Sequence, residues 1–378
     1  MYSVGLITFH ASYNFGSVMQ AWVTQKIVSE MGYDCEIINF RTKIQKDKYS
    51  VFPIKMGYKQ ILRDIVQIPW IGDKYRSNKK YEKFIQNKLA ISKEYNTVED
   101  LKTAKKYDIY LAGSDQIWGY HIPEFDYSKI DVRGIYYFNF VDGYKISYAS
   151  STGTATSELL QSYAEYLKKF SHLAVRESIG QQVIGNLTGQ KPSVVLDPTY
   201  LISSKAWCEI ANSIPRKYEY KYVLIYSLQG MKKAKKWKEL IGQLPSYIKI
   251  ITVVPFSPVT GKGIINRADA GPIEILSLFA NAEYVYTDTF HGMSFAIHFR
   301  KPFTIFEDTD SDSRKRNIMK IFSLSDRETN LIDSAVEMFS SPIDYDSKEH
   351  LISSKVVESL DYLKNALGDY EQFRDINS

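Results

Sequence analysis

Residues 3–40 read SVGLITFHASYNFGSVMQAWVTQKIVSEMGYDCEIINF, and this stretch decides the fold. Its two ends, Ser3–Phe9 and Cys35–Phe40, are short apolar segments that predict β-strands. The middle, Ser17–Met31, places apolar residues at helical intervals and predicts a helix. A strand, a helix and a second strand in this order predict a βαβ unit, in which the two strands are parallel.

The same alternation continues to about residue 198. Further strands are predicted at Asp108–Ala112, Lys145–Ala149, Leu173–Arg176 and Ser193–Leu196. Helices are predicted at Ser157–Phe170 and Ile179–Asn186. Strands that alternate with helices favour a parallel sheet with helices on its faces, so the first half is expected to be an α/β domain.

A second alternating series follows Asp197-Pro198. Its predicted strands are Lys221–Tyr226, Ile248–Val254, Tyr284–Thr287 and Pro302–Phe306. Its predicted helices are Lys232–Leu244, Pro272–Ala282, Gly292–Phe299 and a long C-terminal helix over Ser353–Phe373. The chain has 378 residues, more than the roughly 250–300 at which single cores stop growing. We therefore predict two doubly wound, Rossmann-like α/β domains facing a cleft, with residues 1–198 completed by helix 353–378 and residues 199–352 forming the second domain.

The composition is that of an ordinary globular protein, with 44% hydrophobic and 24% charged residues. The two cysteines, Cys35 and Cys208, lie far apart in sequence, which argues against a disulfide framework or a cysteine zinc site and favours a reducing compartment. The first residues lack a signal-peptide pattern, and no apolar run approaches the ~18 residues of a membrane span. These features predict a cytoplasmic protein. The 29 tyrosines suit contacts with sugars, with ordinary packing as the alternative.

Positive charge is concentrated in residues 41–92, which we call the basic insertion. From Arg41 to Lys88 there are thirteen lysines and arginines against four acidic residues, while the whole chain carries a formal net charge of +5. Aromatic residues such as Trp70 and Tyr75 are interleaved with these cations, a composition that fits peripheral contact with an anionic bilayer. The alternative is a solvated basic face. Nucleic-acid binding is not expected, because no nucleic-acid-binding motif accompanies the cations.

Polar segments that contain glycine follow several of the predicted strands. In an open α/β sheet, ligands bind in the crevice at the carboxyl ends of the strands, and helix N-termini there attract anions. After the first strand, we expect His10, Asn14 and Gly16 to line this crevice. The alternative is an ordinary turn in which Ser17 caps the following helix.

The segment Gly113–Trp118 directly follows the third predicted strand. Ser114 and Gln116 offer donors and acceptors for sugar hydroxyls, and Trp118 offers a flat face for stacking. Asp115 is a candidate general base for a hydroxyl. Its alternative role is to cap the following turn.

Arg176 lies at the end of another predicted strand, followed by Glu177. An arginine in this position can form a two-pronged contact with a phosphate or a carboxylate, which makes Arg176 a candidate anion ligand. The alternative is an ion pair with Glu177 or Asp197.

His291 lies at the start of a predicted helix, directly after a predicted strand. A histidine there can donate to a phosphate together with the first backbone N–H groups, including that of Gly292, and can move a proton near neutral pH. Downstream, Arg314, Lys315 and Arg316 follow an acidic loop and supply a candidate cationic clamp.

Taken together, these segments resemble the polysaccharide pyruvyl transferase family. The order and spacing agree from Gly5 to about Arg316, although the basic insertion and the C-terminal helix are not part of the match. The matching segments are Gly5–His10, Asn14–Ala21, Gly113–Trp118, Ser147–Ala149, Ala174–Glu177, Leu196–Thr199, Gly271–Glu274, Thr289–Gly292 and Lys301–Phe303.

The resemblance implies a GT-B-like fold and phosphoenolpyruvate as the donor substrate. The implied product is a pyruvyl ketal, or occasionally an enolpyruvyl group, on a sugar of a surface polysaccharide such as a capsule or an exopolysaccharide. The resemblance implies no metal and no bound cofactor. The family's donor-binding arginine and histidine map onto Arg176 and His291, and a later cationic contact falls on Arg314, Lys315 or Arg316 without a choice among them.

Under this hypothesis the catalytic residues are His291, Asp115 and Asp288. His291 is the acid or the phosphate ligand, Asp288 is the alternative acid, and Asp115 takes the proton of the sugar hydroxyl. The acceptor sugar lies against the segments around Asn14 and Gln116, and a lipid-linked acceptor would explain the basic insertion. Two rival functions are a glycosyltransferase that uses a nucleotide sugar on the same fold and a non-catalytic subunit of a polysaccharide assembly complex.

Overall fold

The computed structural model of this protein describes residues 1–50, 68–120, 122, 130–254, 259–306 and 313–377. Part of the basic insertion, with Lys55, Lys59 and Arg63, lies outside the described residues, as does the acidic loop 307–312. Among the described residues, no helix combines the length and the apolar composition that crossing a bilayer requires.

The first sheet has four parallel strands in the order β2-β1-β3-β4. Its strands are β1 Ser3–Ile7, β2 Asp34–Ile37, β3 Ile109–Ala112 and β4 Tyr144–Ser147. All residues of β3 and β4 are buried, as expected for parallel strands that are covered on both faces. A short parallel pair, β5 Ala174–Val175 and β6 Ser193–Val194, continues the sheet through an isolated bridge between Ser150 and Val175. The predicted parallel sheet is confirmed.

Within the described residues, the second sheet has six parallel strands in the order β12-β11-β10-β7-β8-β9. Its strands are β7 Tyr222–Tyr226, β8 Lys249–Val253, β9 Ile264–Asn266, β10 Tyr284–Thr287, β11 Phe303–Phe306 and β12 Glu328–Thr329. The sequence predicted β7, β8, β10 and β11 but missed the two edge strands. Both edge strands are only two or three residues long and half-buried, so they carry no apolar pattern.

Helices cover both sheets. In the first half they are α1 Phe15–Glu30, α2 Lys43–Tyr49, α3 Ile71–Lys88, α4 Val98–Lys102, α5 Ile130–Gly134, α6 Ser157–Leu160, α7 Ala164–Leu167 and α8 Ser178–Thr188. In the second half they are α9 Ser204–Ala211, α10 Gly230–Gln243, α11 Pro272–Ala280, α12 Phe290–His298, α13 Ser313–Ile321, α14 Ile332–Phe339, α15 Glu349–Gly368 and α16 Tyr370–Asn377. Short 3-10 turns are Ile68–Trp70, Ile135–Tyr137, Gln161–Tyr163, Pro198–Leu201, Ser325–Arg327 and Asp346–Lys348.

Two of the predicted helices are split in the structure. The single helix predicted over Ser157–Phe170 is wrong, because α6 and α7 are separated by the 3-10 turn Gln161–Tyr163. A 3-10 turn changes the rotation per residue, and here it buries Tyr163. The predicted C-terminal helix is likewise broken at Asp369, between α15 and α16. The apolar spacing continues across both breaks and therefore does not reveal them.

Helix α1 joins the two halves of the chain. The ring of Phe15, the first residue of α1, stacks on Phe279 of α11 with centroids 5.9 Å apart, and its centroid lies 4.6 Å from that of Phe295 of α12. All three rings are buried. We call Phe15, Phe279 and Phe295 the aromatic seam. Because burying such a ring contributes ~1.5–3 kcal/mol, the seam fixes the first half against the second.

Helix α15 returns to the first half, as predicted. Tyr362 of this helix donates a hydrogen bond to the backbone carbonyl of Ser147 at 3.0 Å. In the opposite direction, Tyr144 of β4 donates one to the carbonyl of Ala366 at 2.8 Å. The end of the chain therefore covers the edge of the first sheet.

Candidate active site

A cavity of about 290 Å³ lies between the two sheets, where segments following strands of both sheets meet. Its lining residues are Asn14, Ser17, Asp115, Gln116 and Thr154 from the first half, and Tyr226, Leu228, Gln229, Asp288, Thr289, Phe290, His291, Arg314 and Lys315 from the second. We call it the central cavity. Its position at the carboxyl ends of parallel strands is where open α/β sheets bind their ligands.

The first turn of α1 borders the central cavity. Asn14 is the N-cap of this helix, and its side-chain oxygen accepts hydrogen bonds from the backbone N–H groups of Gly16 at 3.0 Å and Ser17 at 3.4 Å. The alternative prediction, in which Ser17 is the cap, is therefore wrong. Gly16 lies against His291, because a Cβ atom built on Gly16 would be 1.9 Å from Nδ1 of that ring. Only glycine leaves room for the imidazole here.

Asp115 directs its carboxylate toward the same turn. Its Oδ2 accepts a hydrogen bond from Oγ of Ser17 at 2.6 Å, and its Oδ1 accepts one from the backbone N–H of Gln116 at 2.8 Å. The second contact is the turn-capping role that the sequence offered as an alternative. The backbone of Asp115 has a φ of 72°, a left-handed conformation that costs a non-glycine residue roughly 1–3 kcal/mol. Strain of this kind is concentrated at functional sites, where the side-chain position is what matters.

His291 lies in the first turn of α12. Thr289 caps this helix by accepting a hydrogen bond from the backbone N–H of Gly292 at 2.8 Å. A Cβ atom on Gly292 would be 2.0 Å from Oγ1 of Thr287, so the turn has no room for a side chain there. The imidazole is 12% exposed, and its Nε2 lies 3.7 Å from Oδ2 of Asp197. This is an ion-pair distance and not a hydrogen bond.

Asp197 is the buried carboxylate behind His291. Its side chain has no exposed surface, and it accepts hydrogen bonds from Nη1 of Arg176 at 2.8 Å and from Oγ of Ser114 at 3.0 Å. Burial by itself raises the pKa of Asp197. The contact with His291 and the positive charges of His291 and Arg176 outweigh burial and hold that pKa well below its usual range. Asp197 is therefore an ionised group that lies directly behind the His291 ring.

Arg176 is buried outside the lining of the central cavity. Its guanidinium pairs with Asp197 and lies 4.4 Å from the centre of the Phe290 ring, while its Nε is 3.9 Å from Oε2 of Glu177. The alternative offered by the sequence, an ion pair with Asp197 or Glu177, is the arrangement found. Its side chain is 0% exposed in this geometry, and its role as a donor ligand stays a prediction.

Asp288 follows β10 and connects it to the neighbouring strand β7. Its carboxylate accepts hydrogen bonds from Oγ of Ser227 at 2.6 Å and from the backbone N–H of Leu228 at 3.3 Å, and Nζ of Lys233 lies 3.9 Å away. Burial raises the pKa of Asp288, although the hydrogen bond from Ser227 and the charge of Lys233 oppose this shift. The carboxyl group thus holds the loop that follows β7.

Two of the three predicted cations at the start of α13 line the central cavity. Arg314 and Lys315 are lining residues, and Nζ of Lys315 donates a hydrogen bond to the backbone carbonyl of Asp288 at 2.9 Å. Arg316 is exposed on another face of the helix, where it pairs with Glu328 at 3.3 Å. The clamp predicted from the sequence therefore reduces to Arg314 and Lys315.

The sequence of the chain matches one protein family over most of its length. The family model described as polysaccharide pyruvyl transferase matches residues 14–310, a range that includes Asn14, Asp115, Asp197 and His291. The chain belongs to the polysaccharide pyruvyl transferase family. No curated protein matches the sequence significantly.

Solved structures that contain UDP or UDP-GlcNAc share the fold of this pyruvyl transferase family member. The S. aureus MnaA-UDP co-structure has a TM-score of 0.53 at 9% identity, covering 97% of each chain. The Neisseria meningitidis UDP-GlcNAc 2-epimerase has a TM-score of 0.50 at 11% identity, covering 97% of this chain and 99% of its own. The Methanocaldococcus jannaschii UDP-GlcNAc 2-epimerase has a TM-score of 0.50 at 13% identity, covering 89% and 91%. The predicted GT-B-like fold is confirmed.

Three residues predicted to bind the acceptor lie in the interior of this pyruvyl transferase family member. Nε2 of His10 is 2.9 Å from Oδ1 of Asn39, and burial lowers the pKa of His10 to about 4. Trp118 has no exposed surface, and its indole N–H donates to a backbone carbonyl at 3.0 Å. Ser114 is also fully buried and donates to Asp197. Side chains this deeply buried cannot contact a sugar in this structure, so their predicted acceptor role is not supported.

Sequence reasoning missed the position of Asp197 and several lining residues of this family member. The available signal was Asp197 followed by Pro198 directly after a predicted strand, a pair that is typical of a turn. Tyr226 and Gln229 follow β7, which is paired in parallel with β10 and therefore ends at the same edge as Asp288. Gly230 directly follows Gln229, but the segment Tyr226–Gln229 contains no charged residue, so the pairing of the strands was needed to find these two residues.

Proposed function

We propose that this protein transfers the pyruvyl group of phosphoenolpyruvate to hydroxyls of a sugar in surface polysaccharide synthesis and thereby forms a cyclic ketal. Membership of the pyruvyl transferase family supports the class of reaction. The observation that carries the proposal is the two-sided central cavity, with His291 and Arg314 from the second half and Asp115 from the first. An enol phosphate requires a side that binds anions, and a sugar hydroxyl requires a carboxylate that accepts its proton.

The side of the cavity formed by the second half suits a small anion. The first N–H groups of a helix have no partner within the helix and carry partial positive charge, so the N-terminus of α12 favours phosphate and carboxylate groups. Arg314 and Lys315 add two cations to the same lining. The volume of about 290 Å³ is at the lower limit of the ~300–1,000 Å³ typical of ligand pockets, which favours a compact donor over a whole nucleotide sugar.

The proposed reaction consists of two additions to one carbon. In the first addition, the methylene carbon of the enol phosphate takes a proton, and a sugar hydroxyl attacks the neighbouring carbon while its proton passes to Asp115. The bond from that carbon to the phosphate oxygen then breaks, and phosphate leaves with the electron pair. In the second addition, another hydroxyl of the same sugar closes the ring. Of the two protons released by the sugar hydroxyls, one restores the acid that protonated the carbon. The other protonates the released phosphate.

We assign the proton transfer to carbon to His291. Its ring is 12% exposed beside the ionised Asp197, and histidine can deliver a proton near neutral pH. Asp288 is the alternative acid, and burial raises its pKa. Its carboxylate has no exposed surface, however, and is occupied by Ser227 and the backbone of Leu228. We therefore assign Asp288 to the support of the loop and not to the chemistry.

Phosphoenolpyruvate is expected to stabilise the folded protein against heat, whereas UDP-sugars and GDP-sugars are not. A ligand at 100 times its Kd adds about 2.7 kcal/mol to the free energy of unfolding, which thermal unfolding detects. We expect His291→Ala and Arg314→Ala to lose most of this gain because both side chains line the central cavity. Arg316→Ala is the matched control, since Arg316 lies on the same helix but pairs with Glu328 outside the cavity.

Other outcomes of this experiment decide between the rival functions. Stabilisation by a nucleotide sugar alone would replace the proposal with a glycosyltransferase. Stabilisation by phosphoenolpyruvate without any release of phosphate, when saccharide acceptors are supplied, would favour a non-catalytic subunit.

The basic insertion is proposed to bring the protein to an anionic membrane that carries a lipid-linked acceptor. Each surface cation contributes about 1 kcal/mol to such binding, so replacing Lys43, Lys48 and Lys74 with serine is expected to weaken binding to phosphatidylserine vesicles by roughly two orders of magnitude. Vesicle co-sedimentation measures this change. The control replaces Lys102, Lys168 and Lys235, which are exposed lysines outside the basic insertion. Equal loss in both triple variants, or none in either, would refute a membrane role for the insertion.

A further inference from the structure

A second cavity, of about 410 Å³, lies beside the loop that leads into α1. Its lining includes Ala11 and Tyr13 of this loop together with residues of α2 and α3, which belong to the described part of the basic insertion. We call it the insertion cavity. Asn14, the residue after Tyr13, lines the central cavity, so the same loop borders both cavities. This cavity was not predictable from the sequence, because its walls come from segments that are far apart along the chain.

Three tyrosines line the insertion cavity: Tyr13, Tyr49 and Tyr75. The rings of Tyr13 and Tyr49 have centroids 5.4 Å apart, and the hydroxyl of Tyr13 donates a hydrogen bond to Oε1 of Glu82 at 2.5 Å. Nη1 of Arg41 contacts the same oxygen at 2.8 Å. These contacts fix the rings and neutralise Glu82. Flat apolar faces with fixed hydroxyls beside them suit the C–H face and the hydroxyls of a sugar ring.

Lysines give the same cavity a positive charge. Lys79 and Lys83 are exposed lining residues four positions apart on α3, so they lie one turn apart on the same helix face. Nζ of Lys79 is 4.7 Å from the centre of the Tyr75 ring, which presents a cation and an aromatic face together. Glu82 is the one acidic residue among the described lining residues, and Arg41 neutralises it. Two ammonium groups on one face suit an anion of charge about −2, such as a phosphate monoester.

We propose that the insertion cavity binds the phosphate-bearing end of the saccharide acceptor while the sugar to be modified lies in the central cavity. This inference rests on the proposed function, since it names the class of acceptor for that reaction. The tyrosines contact the sugar ring next to the phosphate, and Lys79 and Lys83 contact the phosphate. The loop through Tyr13 and Asn14 places the two cavities side by side, so one phosphorylated glycan reaches from one to the other.

The test uses glucose 1-phosphate as the probe and the full chain carrying His291→Ala and Arg314→Ala, which weakens anion binding in the central cavity. Titration calorimetry and broadening of the phosphorus-31 signal report binding. Adding Lys79→Ala and Lys83→Ala is expected to weaken binding roughly tenfold or more, because charge-assisted contacts are lost. Adding Tyr75→Ala is expected to weaken binding as well. The matched control is Lys88→Ala, an exposed lysine on the same helix outside the cavity lining, which leaves binding unchanged.

Free glucose and inorganic phosphate separate the two parts of the proposed ligand. Each is expected to bind more weakly than glucose 1-phosphate, since each meets only the rings or only the lysines. Equal affinity of glucose 1-phosphate for the parent and the Lys79→Ala, Lys83→Ala variant would overturn the proposal. So would inorganic phosphate binding as tightly as glucose 1-phosphate.

The same pair of lysine substitutions in the otherwise native chain separates this proposal from the proposed function. Thermal stabilisation by phosphoenolpyruvate is expected to be unchanged there, because neither lysine lines the central cavity. If the native chain shows no stabilisation by phosphoenolpyruvate, the proposed function fails while the binding of glucose 1-phosphate is still decided by its own titration.

Discussion

Gly16→Ala is expected to reduce kcat/KM for pyruvyl transfer by about 100-fold or more. The added Cβ would lie 1.9 Å from Nδ1 of His291, which is 1.5 Å short of an ordinary 3.4 Å contact, so the imidazole has to move. A catalytic group displaced by about 1 Å costs about 10²-fold in rate. Steady-state kinetics with phosphoenolpyruvate and an accepted saccharide measure this loss.

The matched control for this substitution is Gly242→Ala. Gly242 also lies in a helix, α10, but a Cβ atom there meets nothing within 4 Å, so full activity is expected. A second comparison isolates the clash itself. Alanine is favoured over glycine within a helix by about 1 kcal/mol, so Gly16→Ala is expected to stabilise the protein in a His291→Ala background. Wild-type kcat/KM in Gly16→Ala would show that the reaction does not depend on the position of the His291 ring.

Asp197→Asn is expected to lower the free energy of unfolding by about 3–5 kcal/mol, because it leaves the buried Arg176 guanidinium without its counter-charge. The pKa of Asp197 lies below its unfolded value in the folded protein. The stability from this ionised group is therefore fully present above about pH 4 and is lost as the pH falls further, through the folded pKa. The difference between the two proteins is accordingly expected to shrink only below about pH 4. Urea unfolding at a series of pH values measures it.

Enzyme kinetics of Asp197→Asn distinguish a positioning role of Asp197 from a purely structural one. Without the carboxylate 3.7 Å from its Nε2, the His291 ring loses the charged group that lies behind it, so kcat is expected to fall while KM for phosphoenolpyruvate changes little. Asp369→Asn is the matched control, because Asp369 pairs with His172 at 3.1 Å on the exposed surface. Such exposed pairs contribute at most about 1 kcal/mol, and neither kcat nor KM should change. An unchanged kcat in folded Asp197→Asn would rule out the positioning role.

The central strands were predictable because strands that are buried on both faces consist of short runs of apolar residues. Turn residues mark the two ends of each run. Strand β10 was predicted at Tyr284–Thr287, and the structure has it there. Helices α2 and α3, in the described part of the basic insertion, were not predicted. Helix α3 buries only Tyr81, Phe84 and Ile85, which leaves little apolar pattern among its charged residues. Prediction of the fold thus succeeded for buried elements, whose residues must be apolar. It failed for exposed helices, whose surface positions accept almost any residue.

The sequence located the edge of the sheets at which Asn14, Asp115 and His291 come together, because parallel strands end at a common edge. It did not reveal which way each side chain turns. Arg176 follows a strand of only two residues, and whether such a residue faces the cavity or the interior depends on a single step of register. Trp118 is similar, since an indole suits a sugar or a core equally well. Its ring stacks on Tyr137 with centroids 5.7 Å apart, a neighbour known only from the fold.

The aromatic seam limits how this protein can change over evolutionary time. Separating the halves would uncover Phe15 on one side and Phe279 with Phe295 on the other, and an apolar patch of that kind invites association with other chains. A chimera that takes one half from a relative must therefore carry matching ring shapes across the junction. The two halves are therefore expected to be inherited as one piece.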